Sequence, residues 1–445
     1  MSTTALDIWA FLLPAISFVQ VTVVGQLIVS EVLAAVMLPW LWGAKDRLRM
    51  PRWFLLLWGG WLVSQIVTDV VMGSGFADYS RGWAAILFTL TDFAAVLVLV
   101  STPRRARLFA LGLAASGVLG YFIAPNIFAA GDPWKWAFAG SVGFALAAGL
   151  SGATGARRPL LTIAAFAVFG ALNLLLGFRS LGGVSLLAAG YLVLGAVAGK
   201  RAVASRYSTL RAAAGLALLA LSVVLVLQLY DVAASGGLLG SAAQAKYETQ
   251  SGTFGVLLGG RSEVLASSQA IIDSPILGHG SWADDLEYVD LLSERLSSLG
   301  YEVGAGPSDV GLIPAHSYLM QSWVWAGVLG GIFWLAILGI AVWLLANLYS
   351  FRVDLAPLIV FSAMLLLWSI AFSPYGSSTR IGATYGIALC LLGLRLVRGG
   401  TVNDPPARRS SGASRYPQPR SGGPADGRGT TSNLRSAPDQ PGSRA

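Results

Sequence analysis

The chain predicts an all-α fold, a polytopic transmembrane helical bundle of about twelve spans with one large external loop that contains short amphipathic helices. Hydrophobic residues fill 55% of the 445 positions. Charged residues make up 12%, well below the ~25% typical of soluble domains. Many apolar runs reach roughly 17–25 residues, the length that crosses about 30 Å of hydrocarbon. Residues 232–317 form the single long polar excursion.

The spans fall at roughly 8–23, 27–43, 53–72, 82–101, 108–124, 134–150, 159–177, 183–199, 212–231, 318–347, 355–372 and 381–397. Residues 1–7 hold no Lys or Arg, and the apolar run from Ile8 to Trp42 is too long for a secretory signal core, so it counts as structure. Gly25 and Glu31 divide that run into two spans. Four segments follow: spans one to nine (1–231), the external loop (232–317), spans ten to twelve (318–398) and a tail (399–445). The tail is rich in Pro, Gly, Ser and Arg and is expected to be a disordered cytoplasmic extension.

Charge sets the expected orientation. With a cytoplasmic N-terminus, 23 of the 30 Lys and Arg residues fall in cytoplasmic loops and the tail. That distribution follows the positive-inside rule for an inner (cytoplasmic) membrane protein with both termini inside, and it places 232–317 on the outer face. The net charge of +8 is dispersed among short loops, so no nucleic-acid partner is expected and the lipid bilayer is the evident one. Cys390 is the only cysteine and lies in the last span, so an intramolecular disulfide is excluded.

The loop has internal order. From Arg261 to Asp273, Val264, Leu265, Ile271 and Ile272 share a helical face, and Ser274-Pro275 stops the helix. From Asp285 to Leu299, Leu286, Val289, Leu292, Leu296 and Leu299 recur at helical spacing, with Gly300 as the C-terminal stop. Two such helices would cap a cavity at the membrane mouth. The Gly-containing link 302–312 is expected to be mobile.

Candidate chemistry gathers around this loop. His316, in Pro314-Ala315-His316-Ser317, stands at the mouth of the tenth span. Histidine is the side chain best suited to exchange a proton near neutral pH. With Pro314 in a helical first turn, the helix dipole would favour the neutral, basic imidazole. The bland alternative is an interfacial histidine that solvates a helix end. Arg179, in a short turn between two spans, Arg261, after Gly259-Gly260, and Arg380, in Ser377-Ser378-Thr379-Arg380, are external arginines close to membrane depth. Guanidinium forks match diphosphate oxygens; each arginine can equally pair with a local carboxylate or a headgroup phosphate.

Glu31, Asp69 and Asp92 lie in or beside spans, as part of an ion path or, more simply, of structural pairs. Asp284, Asp285, Glu287 and Asp290 lack Asp-x-Asp spacing and sit at a helix start, where acids suit the dipole. No metal is expected. No phosphate-cradling loop, nucleotide fold or zinc pattern occurs, so no cofactor is expected and any reaction must draw on an activated substrate.

Three stretches carry a resemblance: Arg261-Ser262-Glu263 through Ser274-Pro275-Ile276-Leu277-Gly278-His279-Gly280, Ala315-His316-Ser317-Tyr318-Leu319, and Gly327-Val328-Leu329-Gly330. Together with Gly177-Phe178-Arg179-Ser180 they resemble the O-antigen ligase and O-antigen polymerase family of bacterial membrane glycosyltransferases. The match covers about 150 residues; Ser317 stands where Asn is commoner in that family, and the loop carries a Gly-containing insertion. The resemblance implies a GT-C-like, metal-independent and inverting glycan transfer, with undecaprenyl diphosphate as leaving group. In that scheme His316 is the base, and Arg179 and Arg261 hold the diphosphate. The implied partners are a polyprenyl-diphosphate-linked glycan donor, a glycan, lipid or protein acceptor and other polysaccharide-assembly membrane proteins. A transporter and a non-catalytic assembly component are the competing classes. A transporter should concentrate polar residues in mid-membrane, whereas the candidates here gather at the external mouth. No internal repeat at a fixed period is visible, which counts against a duplicated-half transporter.

Overall fold

The computed structural model describes residues 2–43, 48, 50–125, 127–152, 158–198, 261–301, 311–348 and 354–398, with scattered positions between 217 and 247. These belong to one compact unit, Met1–Val402. The tail, most of the link 302–312 and most of the ninth expected span lie outside the described residues.

Among the described residues the helices are α1 (Thr3–Ala15), α2 (Val29–Trp42), α3 (Arg52–Met72), α4 (Phe76–Leu99), α5 (Pro103–Ile123), a short α6 (Ile127–Gly131) and α7 (Ala139–Gly152). They continue with α8 (Arg158–Leu175), α9 (Arg179–Ala198), α10 (Val264–Asp273), α11 (Leu286–Ser298), α12 (Tyr318–Asn347), α13 (Ala356–Phe372) and α14 (Ser377–Arg398). Seven of them, α3, α4, α5, α8, α9, α12 and α14, are long and apolar enough to cross a membrane. Apolar side chains point outward as well as inward: Leu56, Phe122 and Leu160 are 76%, 72% and 72% exposed. Such a surface has lipid as its solvent, and the protein is a membrane-embedded, multi-pass helical bundle.

α13 forms the centre. Its residues from Ala356 to Met364 are buried without a break, and it packs against α7, α9, α12 and α14. Aromatic rings fill the layer between α3, α4 and α12: Trp58 stacks on Phe93 at 5.4 Å and Trp61 on Phe333 at 4.7 Å. Such ring pairs add about 0.5–1.5 kcal/mol each beyond burial.

The first expected span, 8–23, is corrected, and the second, 27–43, holds as a helix from Val29 onward. α1 stops at Ala15 with Pro14 in its last turn, and Gln20–Thr22 pairs antiparallel with Gln26–Ile28. The β-branched run Val21-Thr22-Val23-Val24 around Gly25 favours this hairpin over helix. The following residue, Val29, begins α2.

α12 is not one continuous helix. At Gly327 the backbone turns to φ 65°, ψ −157°, which a side chain would oppose. The break strands carbonyls that a straight helix would use, and at membrane depth such groups must find partners within the protein. They find them in the loop and on α3. The Val324 carbonyl accepts from His279 N at 2.6 Å, the Trp325 carbonyl from Gly280 N at 3.1 Å and the Ala326 carbonyl from Ser64 Oγ at 2.6 Å. In return Val328 N donates to the Ile276 carbonyl at 3.2 Å. The turn 276–280 thus fills the gap that Gly327 opens.

α10 and α11 pack on this turn and on α12, through Ala266, Ala270, Tyr288, Ile313 and Val324. The two helices form where expected, but their buried faces differ. Val264, Ile272 and Leu286 are exposed, while Ala266, Ala270 and Tyr288 are buried. Small residues let α10 approach closely, and hydrogen bonds complete the contact: Arg295 reaches the Leu265 carbonyl and Gln269, and Tyr288 donates to Asp273. Hydrogen bonds from Gln269 and Tyr288 hold Asp273 below the usual carboxylate range. Asp285 caps α11 by accepting from Glu287 N at 3.0 Å. Asp285→Ala is expected to cost about 1 kcal/mol, read as a lower thermal midpoint in detergent with no change in helix content.

Candidate functional site

At the end of the bundle that carries the loop stand three charged side chains and a histidine. Arg261 and Glu263 lie just ahead of α10, with Glu263 as its N-cap residue. His316 precedes α12, and its Nδ1 lies 3.5 Å from Glu263 Oε1. Arg179 opens α9, where its Nη1 donates to the Tyr230 hydroxyl at 3.2 Å. Partial burial pulls the Arg261 guanidinium below its ordinary value; the Glu263 charge opposes that shift and the Arg179 charge adds to it. Arginine nevertheless stays protonated. The Arg179 and Arg261 charges act on one another, and a pair of guanidinium forks is suited to an anion with several oxygens.

His316 does not occupy the first helical turn. Ser317 is the N-cap of α12: its hydroxyl accepts from Met320 N at 3.1 Å and donates to the Ile370 carbonyl at 2.7 Å. His316 therefore stands one residue before the cap, with its side chain 49% exposed. Glu263 is its charged neighbour, and the helix terminus is satisfied by Ser317. Glu263 Oε1 faces Nδ1, so Nε2 is the ring nitrogen without that carboxylate beside it.

Arg380 is elsewhere. It is buried between α14 and α2, where its Nε lies 2.5 Å from Glu31 Oε1 and its Nη2 2.9 Å from Glu31 Oε2. This bidentate pair occupies the fork, so Arg380 braces the bundle and is not free to hold a diphosphate. The pairing joins residues 349 positions apart, which no local pattern announces.

Asp69 is a structural hub. Its carboxylate accepts from Ser281 N at 2.6 Å, Ser281 Oγ at 2.8 Å, Trp83 Nε1 at 2.8 Å and Ser74 Oγ at 3.0 Å. It thereby clamps the loop turn to the ends of α3 and α4. His279 is structural as well: its ring contacts the Ala270 carbonyl at 2.8 Å and the edge of Tyr288. Among the described residues, no three His, Cys, Asp or Glu side chains gather as a metal-binding group. Cys390 is free and buried in α14.

Sequence reasoning missed Glu263 and Tyr230 as neighbours of the candidate residues. Glu263 lies two positions after Arg261, but only the folding of 261–263 against 314–317 brings it to His316. Tyr230 carries no signal of its own.

Comparison of the chain with protein-family models, with curated proteins and with solved structures finds no match in any of the three.

Proposed function

We propose that this protein is a membrane glycosyltransferase that transfers or polymerises an undecaprenyl-diphosphate-linked oligosaccharide on the outer face of the inner membrane. The observation that carries this reading is His316 Nδ1 at 3.5 Å from Glu263 Oε1, two residues after Arg261, which feels the Arg179 charge. In the proposed reaction the acceptor hydroxyl gives its proton to His316 Nε2, and the acceptor oxygen attacks the anomeric carbon. The bond from that carbon to the diphosphate oxygen breaks with its electron pair, and undecaprenyl diphosphate departs. The attack comes from the face opposite the leaving group, so the anomeric centre inverts. Arg179 and Arg261 offset the charge that grows on the leaving oxygens, and no metal is required. Glu263 holds the imidazole in its orientation. The reading includes a polytopic, GT-C-like bundle with both termini in the cytoplasm, an acceptor that is a glycan, a lipid or a protein, and association with other polysaccharide-assembly proteins.

The test is the surface glycan of a strain lacking this protein. Loss of long chains with single repeats retained marks a polymerase, and full-length but unattached chains mark a ligase. An unchanged profile sinks the proposal. Arg261→Ala is expected to slow transfer about 100-fold in a reconstituted assay with lipid-linked donor. Arg261→Lys should recover only part of that rate, because an ammonium lacks the planar fork.

One observation favours a second reading, a transporter: Glu31, Asp92 and Arg380 are charged or ionisable groups buried inside the bundle. Under that reading, vesicles carrying the protein would move lipid-linked glycan across the bilayer, and His316→Ala would leave transfer chemistry in the cell intact.

A further inference from the structure

We infer that Asp92 holds a proton, so that Asp92, Glu31 and Arg380 form a proton-binding site inside the helical bundle. The inference is independent of the function proposed above. Asp92 on α4 is 0% exposed, and neither carboxylate oxygen has a hydrogen-bond partner among the described residues. Beside it, Glu31 of α2 accepts two guanidinium N–H groups from Arg380 of α14 and the backbone N–H of Ile28 at 3.2 Å. These three donors satisfy the Glu31 carboxylate, and arginine does not give up its proton. The pair is therefore already neutral, and an ionised Asp92 would be a buried anion without a donor, which costs several kcal/mol. Taking up a proton removes the charge and with it the larger part of that cost.

Other charged groups on the helices packed against α4 are occupied. Asp7 of α1 faces Arg104 and Arg105 of α5 at 3.1 and 4.0 Å, and Asp69 of α3 is bound by the loop turn. Glu31 and Arg380 stand on α2 and α14, the two helices that pack most extensively against α4. One helical turn from Asp92, Thr89 donates to the Ala85 carbonyl and bonds the Tyr375 hydroxyl, so neither group is turned to the acid.

Infrared spectroscopy of the full chain in nanodiscs, at neutral pH and without sodium, tests the site. A protonated carboxyl C=O band that shifts in deuterium oxide and vanishes in Asp92→Asn is expected. Thermal unfolding gives the second measurement. A folded state that binds one more proton than the unfolded chain loses stability as pH rises, by up to tenfold in the folding constant per pH unit. The wild type should show that slope, and Asp92→Asn, or Asp92→Leu if the amide variant does not fold, should lack one proton's share of it. Absence of the band, or a band unchanged in Asp92→Asn, overturns the inference. So does a thermal midpoint that climbs with sodium in the wild type alone, which would assign the acid to a monovalent cation.

Discussion

His316→Ala is expected to lower glycan transfer by about 10²–10⁴-fold, the share that a positioned general base contributes, with the bundle still folded. The two effects separate because of where the side chain stands. The imidazole is half-exposed and faces Glu263, while the helix start that follows is capped by Ser317 and tied to Ile370. Removing the ring leaves that cap intact, so the thermal midpoint should hardly move. His316→Gln keeps a polar group of similar size without a proton-accepting nitrogen and should be as inactive as alanine. Glu263→Gln, which keeps the shape but not the charge, should fall between wild type and His316→Ala. Measured donor binding should survive all three substitutions, because Arg179 and Arg261 remain. Normal glycan output from His316→Ala, at wild-type protein level, would remove the catalytic role and leave the transport reading.

Gly327→Ala carries the largest expected cost in stability, about 3 kcal/mol or more, from a left-handed backbone together with a steric clash. A Cβ at this position would lie 1.9 Å from the Ile276 carbonyl oxygen, and one at Gly278 would lie 2.6 Å from Gly327 N. Both obstacles are backbone, so no side chain can swing aside to make room. The damage would also spread. Once the turn 276–280 is displaced, the Val324 and Trp325 carbonyls lose their donors and Asp69 loses Ser281. The expected readout is a sharply lower thermal midpoint in detergent, together with faster proteolysis within residues 261–317. Gly339→Ala is the matched control: it lies on the same helix, and a Cβ there meets nothing within 4 Å. Equal midpoints for the two variants would mean that the break in α12 does not hold the loop.

Much of this architecture was legible before any tertiary contact was known. Ten of the expected spans, all but 8–23 and 212–231, coincide with helices to within about six residues, and seven of those helices are long and apolar enough to cross a membrane; 212–231 lies mostly outside the described residues. Ser274-Pro275 and Gly300 end the loop helices as their cap chemistry dictates. The failures have local causes. At the N-terminus, hydropathy could not tell a β-branched hairpin from a span, because both are apolar. In α10 and α11 the periodicity marked the large aliphatics, yet the buried face is the one lined with Ala266 and Ala270. Close backbone approach decided that contact.

What the sequence determined alone is therefore the set of local decisions: which segments are apolar enough for lipid, where helices stop, and which residue types capable of chemistry stand near the loop. Tertiary structure decided the pairings. It joined Arg380 to Glu31 across 349 residues, set Glu263 beside His316 and bent α12 so that a loop turn could complete it. The physical reason is that lipid and protein interior are alike apolar, so hydropathy does not say which helix face meets which neighbour. That choice falls to small residues, to stranded backbone groups and to the few charges that must find one another out of water.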